Sequence, residues 1–384
     1  MSKFVKLSSI AELTVGFVGT MAKHYEDEGI PFLRSLNIKP FKIISDDMKY
    51  VSAEFSNSLS KSILHKGDVV IVRTGIPGTC CVVPAEYDGC NCSDVVIVHP
   101  NTELVNPHYL AAYINFWGQR QIQNNKVGAI QQHFNVHSAE EMLIFLPDIT
   151  EQEKIAKTIV ALNGKIENNF SVCVELEAMA KTLYDYWFTQ FDFPDENGKP
   201  YCSSGGEMVW NDQLKREIPK GWDTATINEM TKSCRGVSYD KNDLLPSPEN
   251  GVLVLRGNNI QNNRLVYDNN VAYVPHSLVA KEQQISAHDI ILTMSSGSKD
   301  HIGKCTMFQY DSPHTYGAFL TKFTPDKDKV GFVYLSMISD FFKKKVKAIC
   351  NGTGINNLTN EIFDNLIFPK PTEAVLARFE ETIS

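Results

Sequence analysis

The sequence TEQEKIAKTIVALNGKIENNFSVCVELEAMAKTLYDYW, residues 150–187, decides the fold of this 384-residue chain. Its apolar positions recur at alternating intervals of three and four residues, the heptad pattern of a helix that packs along a second helix. The seam consists of Ile155, Ile159, Leu162, Ile166, Asn169, Cys173, Leu176, Ala180, Leu183 and Trp187, of which Asn169 is the polar, register-setting member. At 1.5 Å rise per residue such a helix is about 55 Å long, so we predict a spacer. A core helix inside one globular domain is the alternative.

The segments before and after this helix repeat each other in the same order. Residues 29–38, GIPFLRSLNI, match residues 251–260, GVLVLRGNNI, at an offset of 222. Residues 144–147 match residues 366–369 at the same offset. Because repeats decide architecture before any local motif does, we predict a duplication with one domain on each side of the helix.

Each copy has the pattern of a mixed α+β domain. The β-branched runs at residues 69–72 and 290–292 predict buried strands. Residues 107–123 and 330–348 carry apolar residues at helical spacing and predict one helix in each copy. Residues 191–222 are rich in Pro, Gly, Ser, Asp and Asn, which predicts a connector without regular elements. Four of its aromatic side chains are expected to pack against neighbouring surfaces: Phe191, Phe193, Trp210 and Trp222.

The composition is that of a globular protein, with 43% hydrophobic and 21% charged residues. The sequence contains neither an apolar run of about 18 residues nor the apolar core of a signal peptide, so we predict a cytoplasmic protein without membrane contact. The nine cysteines form no disulfide framework. Cys80, Cys81, Cys90 and Cys92 lack CxxC spacing, which favours buried thiols over a metal site.

The net charge of −8 argues against a uniformly basic nucleic-acid-binding protein. Such an average can hide a local cationic face. Lys343, Lys344 and Lys345 follow the aromatic pair Phe341 and Phe342. This cluster is interpreted either as a solvated helix face or as a phosphate-binding patch.

Four segments of the chain resemble the specificity subunit of type I restriction-modification systems. They are LPDITEQEKIAKTIVALNGKIENN (146–169), YDYWFTQFDFP (184–194), NGKPYCSSGGEMVWNDQLKREIPKGW (197–222) and GTGINNL (352–358). The resemblance implies two target recognition domains that each read one part of a split double-stranded DNA sequence. It also implies helical regions that dock methyltransferase (M) and restriction (R) subunits, and a chain without catalytic activity. We predict no cofactor and no metal.

The expected fold is α+β, with two duplicated target recognition domains joined by a long central helix of coiled-coil type and a truncated second helical arm. The segments are target recognition domain 1 (residues 1–147), the central helix (148–190), the connector (191–222), target recognition domain 2 (223–369) and the start of the truncated C-terminal helix (370–384). With about 34 Å per DNA turn, the helix would set the two readers roughly one to one-and-a-half turns apart. Because most of a second helix is missing, we expect the seam from Ile159 to Trp187 to pair with a second copy, forming a homodimer, or to be covered by another subunit.

A DNA reader needs polar and basic side chains on exposed loops. Candidate base contacts are Arg73, Thr74, Gln131, Gln132 and His133 in the first copy, and Ser295, Ser296, Lys299, Asn356 and Asn357 in the second. Candidate phosphate contacts are Arg120, Lys126, Lys343, Lys344 and Lys345.

Residues that occur in both copies are interpreted differently. Two domains that read different sequences should differ where they touch bases, so a scaffold or phosphate role is preferred for Arg34 and Arg256. Base contact is the alternative, and Arg256 is retained as a candidate DNA-binding residue. Asp68 and Asp289 are expected to be structural turn residues.

The main competing class is an enzyme. The sequence contains no Asn/Asp-Pro-Pro-aromatic motif of an adenine methyltransferase, no Gly-Lys-Ser/Thr of a P-loop and no His-Glu-x-x-His motif. The other alternative is a non-catalytic decoy or interaction protein that binds methyltransferase subunits without specific DNA recognition. Salt-dependent binding to a library of duplexes separates the decoy from a true reader.

Overall fold

The computed structural model describes residues 3–124, 134–267, 271–297, 301–353 and 357–384. The chain forms two compact units, Met1–Val172 and Cys173–Ser384. Each unit contains one copy of the repeat that the sequence predicts, and the boundary between the units falls within the long helix.

The described part of the first unit consists mainly of short strands. The strands are β1 (Lys3–Lys6), β2 (Ala11–Val15), β3 (Ile30–Leu33), β4 (Ile38–Lys39), β5 (Lys42–Ile43), β6 (Lys49–Val51), β7 (Val69–Val72), β8 (Cys80–Val82), β9 (Asn91–Cys92), β10 (Val95–Pro100) and β11 (Leu143–Leu146). The helices are α1 (Ala53–Ser58), α2 (Pro107–Tyr113), α3 (Gln119–Asn124) and α4 (Val136–Glu140), with a π turn at Ile114–Gly118 that joins α2 to α3.

The second unit repeats this arrangement after a hairpin. Its strands are β12 (Met208–Asn211), β13 (Arg216–Pro219), β14 (Asp223–Thr226), β15 (Thr231–Arg235), β16 (Gly251–Leu255), β17 (Ile260–Gln261), β18 (Arg264–Leu265), β19 (Tyr273–Pro275), β20 (Ile290–Thr293), β21 (Cys305–Met307), β22 (Thr315–Tyr316), β23 (Leu320–Pro325) and β24 (Ile367–Lys370). The long helix α5 (Ile149–Tyr184) begins in the first unit and ends in the second. The other helices of the second unit are α6 (Ile227–Met230), α7 (Val330–Ile338), α8 (Asp340–Thr353), α9 (Asn360–Phe363) and α10 (Glu373–Ile383).

The two copies have the same sheet topology. The antiparallel four-stranded sheet has the order β2-β10-β7-β8 in the first copy and β15-β23-β20-β21 in the second. A three-stranded sheet follows the same rule, with orders β6-β3-β9 and β19-β16-β22, and in both the last pair is parallel. This strand-by-strand agreement confirms the predicted duplication and the α+β class.

The four-stranded sheet of the first unit is buried on both faces. Val69, Ile71 and Cys80 pack with the helical layer of α2, whereas Val70 and Cys81 pack into a second apolar cluster on the opposite face. A strand with both faces covered reads as a continuous apolar run, which explains the predicted strand at residues 69–72. Cys80, Cys81, Cys90 and Cys92 are buried free thiols, as predicted.

The long helix α5 confirms the prediction for residues 150–187, and a π turn at Asp185–Thr189 continues it. Asp148 begins it by accepting the amide of Glu151 on Oδ1 at 3.0 Å. Every residue from Gly164 to Met179 is exposed within this chain. The alternative of a core helix inside one domain is therefore wrong for the middle of α5, and its apolar seam is uncovered there.

Two details of the predicted elements are wrong. The single helix expected at residues 330–348 is split into α7 and α8, because Ser339 is extended and its hydroxyl caps the amide of Phe342 at 3.2 Å. The connector expected to lack regular elements contains the β12-β13 hairpin. Of the four aromatic residues expected to pack, Phe191, Phe193 and Trp222 are buried, whereas Trp210 is 61% exposed.

Candidate nucleic-acid interface

Both copies contain one turn that is built by a buried asparagine. Oδ1 of Asn37 accepts the amide of Arg34 at 3.1 Å, and its Nδ2 donates to the carbonyls of Ile44 and Asp46 across the turn. Asn259 accepts the amide of Arg256 at 2.8 Å, and its Nδ2 donates to a carbonyl across the turn at 2.9 Å. These contacts explain the repeated Asn of the Leu-Arg-x-x-Asn-Ile sequence as a structural requirement.

The two shared arginines are held by their own domains. Arg34 forms an ion pair with Asp47 at 2.9 Å. Hydrogen bonds from Lys49 and Arg34 lower the pKa of the Asp47 carboxyl to about 2. Nε of Arg256 donates to the hydroxyl of Tyr239 at 3.0 Å. These intramolecular contacts support the scaffold interpretation of the pair, and the DNA-binding role of Arg256 stays a prediction.

The shared aspartates are turn residues, as the sequence predicts. Oδ2 of Asp68 and Oδ2 of Asp289 each accept the backbone amide of the residue three positions earlier at 2.7 Å. Both carboxylates are buried. The second oxygen of Asp68 lies 2.7 Å from Nδ1 of His99, which raises the pKa of that histidine.

Arg73 lies at one end of the first four-stranded sheet, directly after β7. Its amide donates to the carbonyl of Asp94 at 3.1 Å, and the amide of Phe134 donates to the carbonyl of Arg73 at 3.3 Å. Nε of Arg73 also contacts the carbonyl of Phe134 at 3.3 Å. Arg73 and Thr74 are half-buried. We call this end of the sheet, where Arg73 and Asp94 lie, the sheet end of the first copy, and we use the same name for its counterpart in the second copy.

The second sheet end has the same backbone pattern. The amide of Met294 donates to the carbonyl of Phe319 at 2.9 Å, and the amide of Leu358 donates to the carbonyl of Met294 at 2.7 Å. Ser295 pairs with Asn357 in an antiparallel bridge. Two predicted DNA-binding residues from distant parts of the sequence therefore meet here, and Ser296 directly follows Ser295 in the chain.

Several predicted residues lie outside the described residues. They are Lys126, Gln131, Gln132, His133, Lys299 and Asn356. Their assignment to DNA stays a prediction, as it does for the predicted residues that the structure describes.

Sequence reasoning missed two residues at the second sheet end, Arg235 and Phe319. Both are exposed, and they line a cleft of about 380 Å³ together with Ser295 and Asn357. The sequence signal that could have identified Arg235 is that it directly precedes Gly236, a glycine that is matched by Gly16 in the first copy. In the first copy Val15 stands before Gly16, which makes the same hydrogen bond to the sheet.

The residues predicted to contact phosphates lie in different surroundings. Lys343, Lys344 and Lys345 are exposed on α8, which leaves both interpretations of this cluster open. The guanidinium of Arg120 lies 4.7 Å from the ring centre of Trp117, within an apolar groove of about 710 Å³. This setting favours a cation–π contact with Trp117 within the protein over a phosphate contact for Arg120.

The apolar groove of the first unit has a partly filled counterpart in the second. Phe116, Arg120 and Pro147 line the open groove. By the sequence match, their counterparts are Phe341, Lys345 and Pro369, which line a cavity together with Tyr184 and Phe188 of the segment that ends the long helix. In the first unit the long helix contributes Ile155 and Ile159, from its beginning, to the lining of the groove.

The described ranges contain no group of three or more His, Cys, Asp or Glu side chains that could hold a metal ion. Among those same residues no helix is both long enough and apolar enough to cross a membrane.

Known proteins resemble both the sequence and the fold of this chain. A segment of 161 residues is 34% identical to the StySPI specificity subunit of a type I restriction enzyme from Salmonella potsdam, covering 41% of this chain and 34% of that protein. A segment of 158 residues is 33% identical to the EcoKI specificity subunit from Escherichia coli strain K12, covering 40% and 34%. The chain thus matches about a third of the length of these curated relatives.

A solved structure shares the architecture. It is the S subunit of a type I restriction-modification system from M. genitalium, with a TM-score of 0.51 and 13% sequence identity, covering 100% of this chain and 90% of that chain. At this identity the likeness concerns the fold alone, and it agrees with the duplicated α+β plan. The family model described as "Type I restriction modification DNA specificity domain" matches residues 2–177 and 219–374, one match for each copy. Since these two matches cover most of the sequence, the chain belongs to the type I restriction modification DNA specificity family.

Proposed function

We propose that this chain is the DNA sequence-recognition subunit of a type I restriction-modification complex. Each copy of the α+β domain reads one part of a bipartite target in double-stranded DNA. The subunit performs no chemistry itself and binds methyltransferase and restriction subunits through its helical regions. Its domains are those expected from the sequence, residues 1–147 and 223–369, with the helix at 148–190 and the connector at 191–222 between them.

The observation that carries this proposal is the contrast between the shared framework and the sheet ends. Asn37 and Asn259 occupy the same place in the two copies, as do the turn residues Asp68 and Asp289. The matched positions at the sheet ends carry unlike side chains, as in Arg73 and Met294. Two readers of different sequences require this combination, because phosphate and scaffold positions can be shared whereas base-reading positions cannot.

Expression with the methyltransferase subunit of the same system tests the function. Methylated genomic positions are mapped in cells with and without this chain. We expect methylation at one split sequence that depends on the chain, and no methyl transfer from labelled S-adenosylmethionine by the chain alone. Methylation that is independent of the chain, or transfer by the chain alone, would contradict the proposal.

The decoy alternative makes a different prediction in the same system. A decoy would bind the methyltransferase subunit and leave genomic methylation absent or reduced. The match of both copies to a DNA specificity domain favours the reader over the decoy.

The uncovered seam of α5 supports self-association. Leu162, Ile166 and Leu176 are 56%, 62% and 57% exposed. Apolar residues at heptad spacing gain free energy by packing against a partner helix. We propose that the seam pairs with a second copy of the chain in the absence of other subunits.

A pair of substitutions on opposite faces of α5 tests the homodimer. Ile166→Asp places a charge in the seam, whereas Asn168→Asp places the same charge about 200° away around the helix. Light scattering should show a dimer for the wild type and for Asn168→Asp, and a monomer for Ile166→Asp. A strictly monomeric wild type with a folded α5 would contradict the dimer.

A further inference from the structure

The second sheet end contains a cation whose counterpart in the first copy is apolar. We propose that Arg235 and Phe319 are specificity-determining residues: Arg235 reads a guanine in one part of the target, and Phe319 contacts an adjacent base. This inference rests on the proposed function and names residues that carry it out in the second copy.

Backbone hydrogen bonds establish the correspondence between the copies. The amide of Gly16 donates to the carbonyl of Val95 at 3.0 Å, and the amide of Gly236 donates to the carbonyl of Leu320 at 3.1 Å. Residues 15 and 235 precede these glycines and end strands β2 and β15, which occupy the same position in the sheet order. Arg235 therefore stands where the first copy has Val15.

Phe319 is matched by the same reasoning. The carbonyl of Phe319 accepts the amide of Met294, as the carbonyl of Asp94 accepts the amide of Arg73. Phe319 is 66% exposed. The matched positions thus differ in charge and size, Val against Arg and Asp against Phe, although the backbone around them is the same.

The side chain of Arg235 is positioned but not neutralised. Nε of Arg235 donates to the carbonyl of Ala318 at 3.0 Å, and Nε2 of Gln283 donates to the backbone carbonyl of Arg235 at 3.1 Å. Within the described ranges it forms no ion pair with a carboxylate. A guanidinium that is anchored through Nε, on an exposed residue, keeps its two terminal nitrogens as donors for the O6 and N7 acceptors of guanine.

The cleft around Arg235 has the composition of a base-reading surface. Ser295, Asn357 and Asn360 line it with polar groups, and Phe319 contributes an aromatic ring. Serine and asparagine side chains can accept from and donate to base edges, and an aromatic ring can contact a thymine methyl. Glu361 lines the same cleft without an ion pair to Arg235.

A phosphate contact is the competing role for Arg235, and the two roles differ in what they do to sequence preference. A lost phosphate contact weakens binding to all sequences alike, whereas a lost guanine contact relaxes preference at one base pair. The experiment therefore measures preference position by position and not affinity alone.

Selection from randomised duplexes with the complex of this chain and its methyltransferase subunit provides that measurement. Arg235→Val introduces the residue that the first copy has at this position and suits a strand. We expect preference for guanine at one position in one part of the target to fall about 10- to 100-fold, with the other part unchanged. Arg235→Lys should retain part of the preference, and Phe319→Ala should relax preference at a neighbouring position.

Lys232→Val is the matched control, because Lys232 is an exposed cation on the same strand, three residues from the sheet end. It should leave the selected sequence unchanged. Three results for Arg235→Val would overturn the inference: a uniform loss of binding, an unchanged selected sequence, or a change confined to the other part of the target. The proposed function would still stand if the wild-type complex selected a bipartite sequence. A wild-type complex without any sequence preference would overturn both.

Discussion

Asn37 and Asn259 are the residues that most directly link the repeated sequence to a repeated structure. Both are buried, and their amide groups satisfy backbone donors and acceptors that water cannot reach. An apolar replacement would leave those backbone groups unpaired, and this costs more than the hydrogen bonds themselves contribute. The side chain is therefore required by the turn and not by DNA.

We predict that Asn37→Ala and Asn259→Ala each lower the free energy of unfolding by about 1–3 kcal/mol, because each leaves buried amide and carbonyl groups without partners. Urea unfolding followed by circular dichroism measures the change. Asn57→Ala is the control, since Asn57 is exposed in helix α1 and alanine suits a helix. Equal stability of Asn37→Ala and Asn57→Ala would contradict the structural role.

His99 makes the stability of the first unit depend on pH. The hydrogen bond to Asp68 raises the pKa of His99 above its ordinary value of 6.5, against the opposing effect of burial. The folded state therefore binds this proton more tightly than the unfolded chain does. The stabilisation is complete below pH 6.5 and is lost as the pH rises through the raised pKa.

The second copy supplies the matched variant for this prediction. Thr324 occupies the position of His99 and donates its hydroxyl to Asp289. His99→Thr should keep a hydrogen bond to Asp68 but lose the titration. The difference in free energy of unfolding between the wild type and His99→Thr should shrink from pH 6 to pH 8. A difference that is constant or that grows with pH would show that His99 does not titrate in this way.

Among the elements, α5 is the one whose middle part owes least to packing within the chain. Its first turn is anchored by Gln152, which is buried and bonds to Asn106, Leu104 and Pro147. Its last turns are anchored by Tyr184, whose hydroxyl lies 3.0 Å from that of Ser336. Between these anchors two ion pairs join the helix to the rest of the chain, Lys42–Glu167 at 2.7 Å and Arg264–Glu177 at 3.3 Å. Exposed ion pairs contribute little, so the stability of this stretch depends mainly on intrinsic propensity and on whatever covers the seam.

Gly164 is a weak point in that exposed stretch. Apart from its two chain neighbours and the nearby backbone of the helix itself, no atom lies within 4 Å of the position that a Cβ would take there. Gly164→Ala should stabilise the helix by about 0.5–1 kcal/mol, because alanine loses less backbone entropy on folding and meets no obstacle. Thermal unfolding monitored at 222 nm measures the effect.

Gly67→Ala is the contrasting control for this prediction. That position is equally open but has a φ of +93°. Alanine there should destabilise the protein, because a side chain disfavours the left-handed region. A destabilising Gly164→Ala would mean that the middle of α5 is not a regular helix in solution.

For the whole molecule, the duplicated plan predicts that recognition is modular. Each four-stranded sheet has its own apolar clusters, within its own unit. A substitution at one sheet end therefore disturbs only local contacts, and distant, independent sites act additively.

Arg73→Met, which introduces the second copy's residue at the first sheet end, should change the selected sequence in only one part of the target. Arg235→Val should change only the other part. The double variant should combine the two changes without further loss, measured by the same selection from randomised duplexes. A single substitution that altered both parts would contradict modular reading.

Much of the architecture could be predicted from local pattern. The heptad spacing indicated α5, the continuous apolar runs indicated β7 and β20, and the matched Leu-Arg-x-x-Asn-Ile segments indicated the duplication. These features depend on periodicity and on residues close in sequence, which a single chain displays directly. The break at Ser339 was missed because its extended backbone and its cap on Phe342 are not visible in apolar spacing.

The sequence by itself determined that this protein is a duplicated α+β chain with a long helix, because hydrophobic period and internal repetition are properties of order along the chain. Only the tertiary structure decided which side chains share a surface. Ser295 and Asn357 form a bridge across 62 positions of sequence, and Arg235 and Phe319 line the same cleft. The reason is that strand pairing between distant segments sets these neighbours, and no local spacing records it.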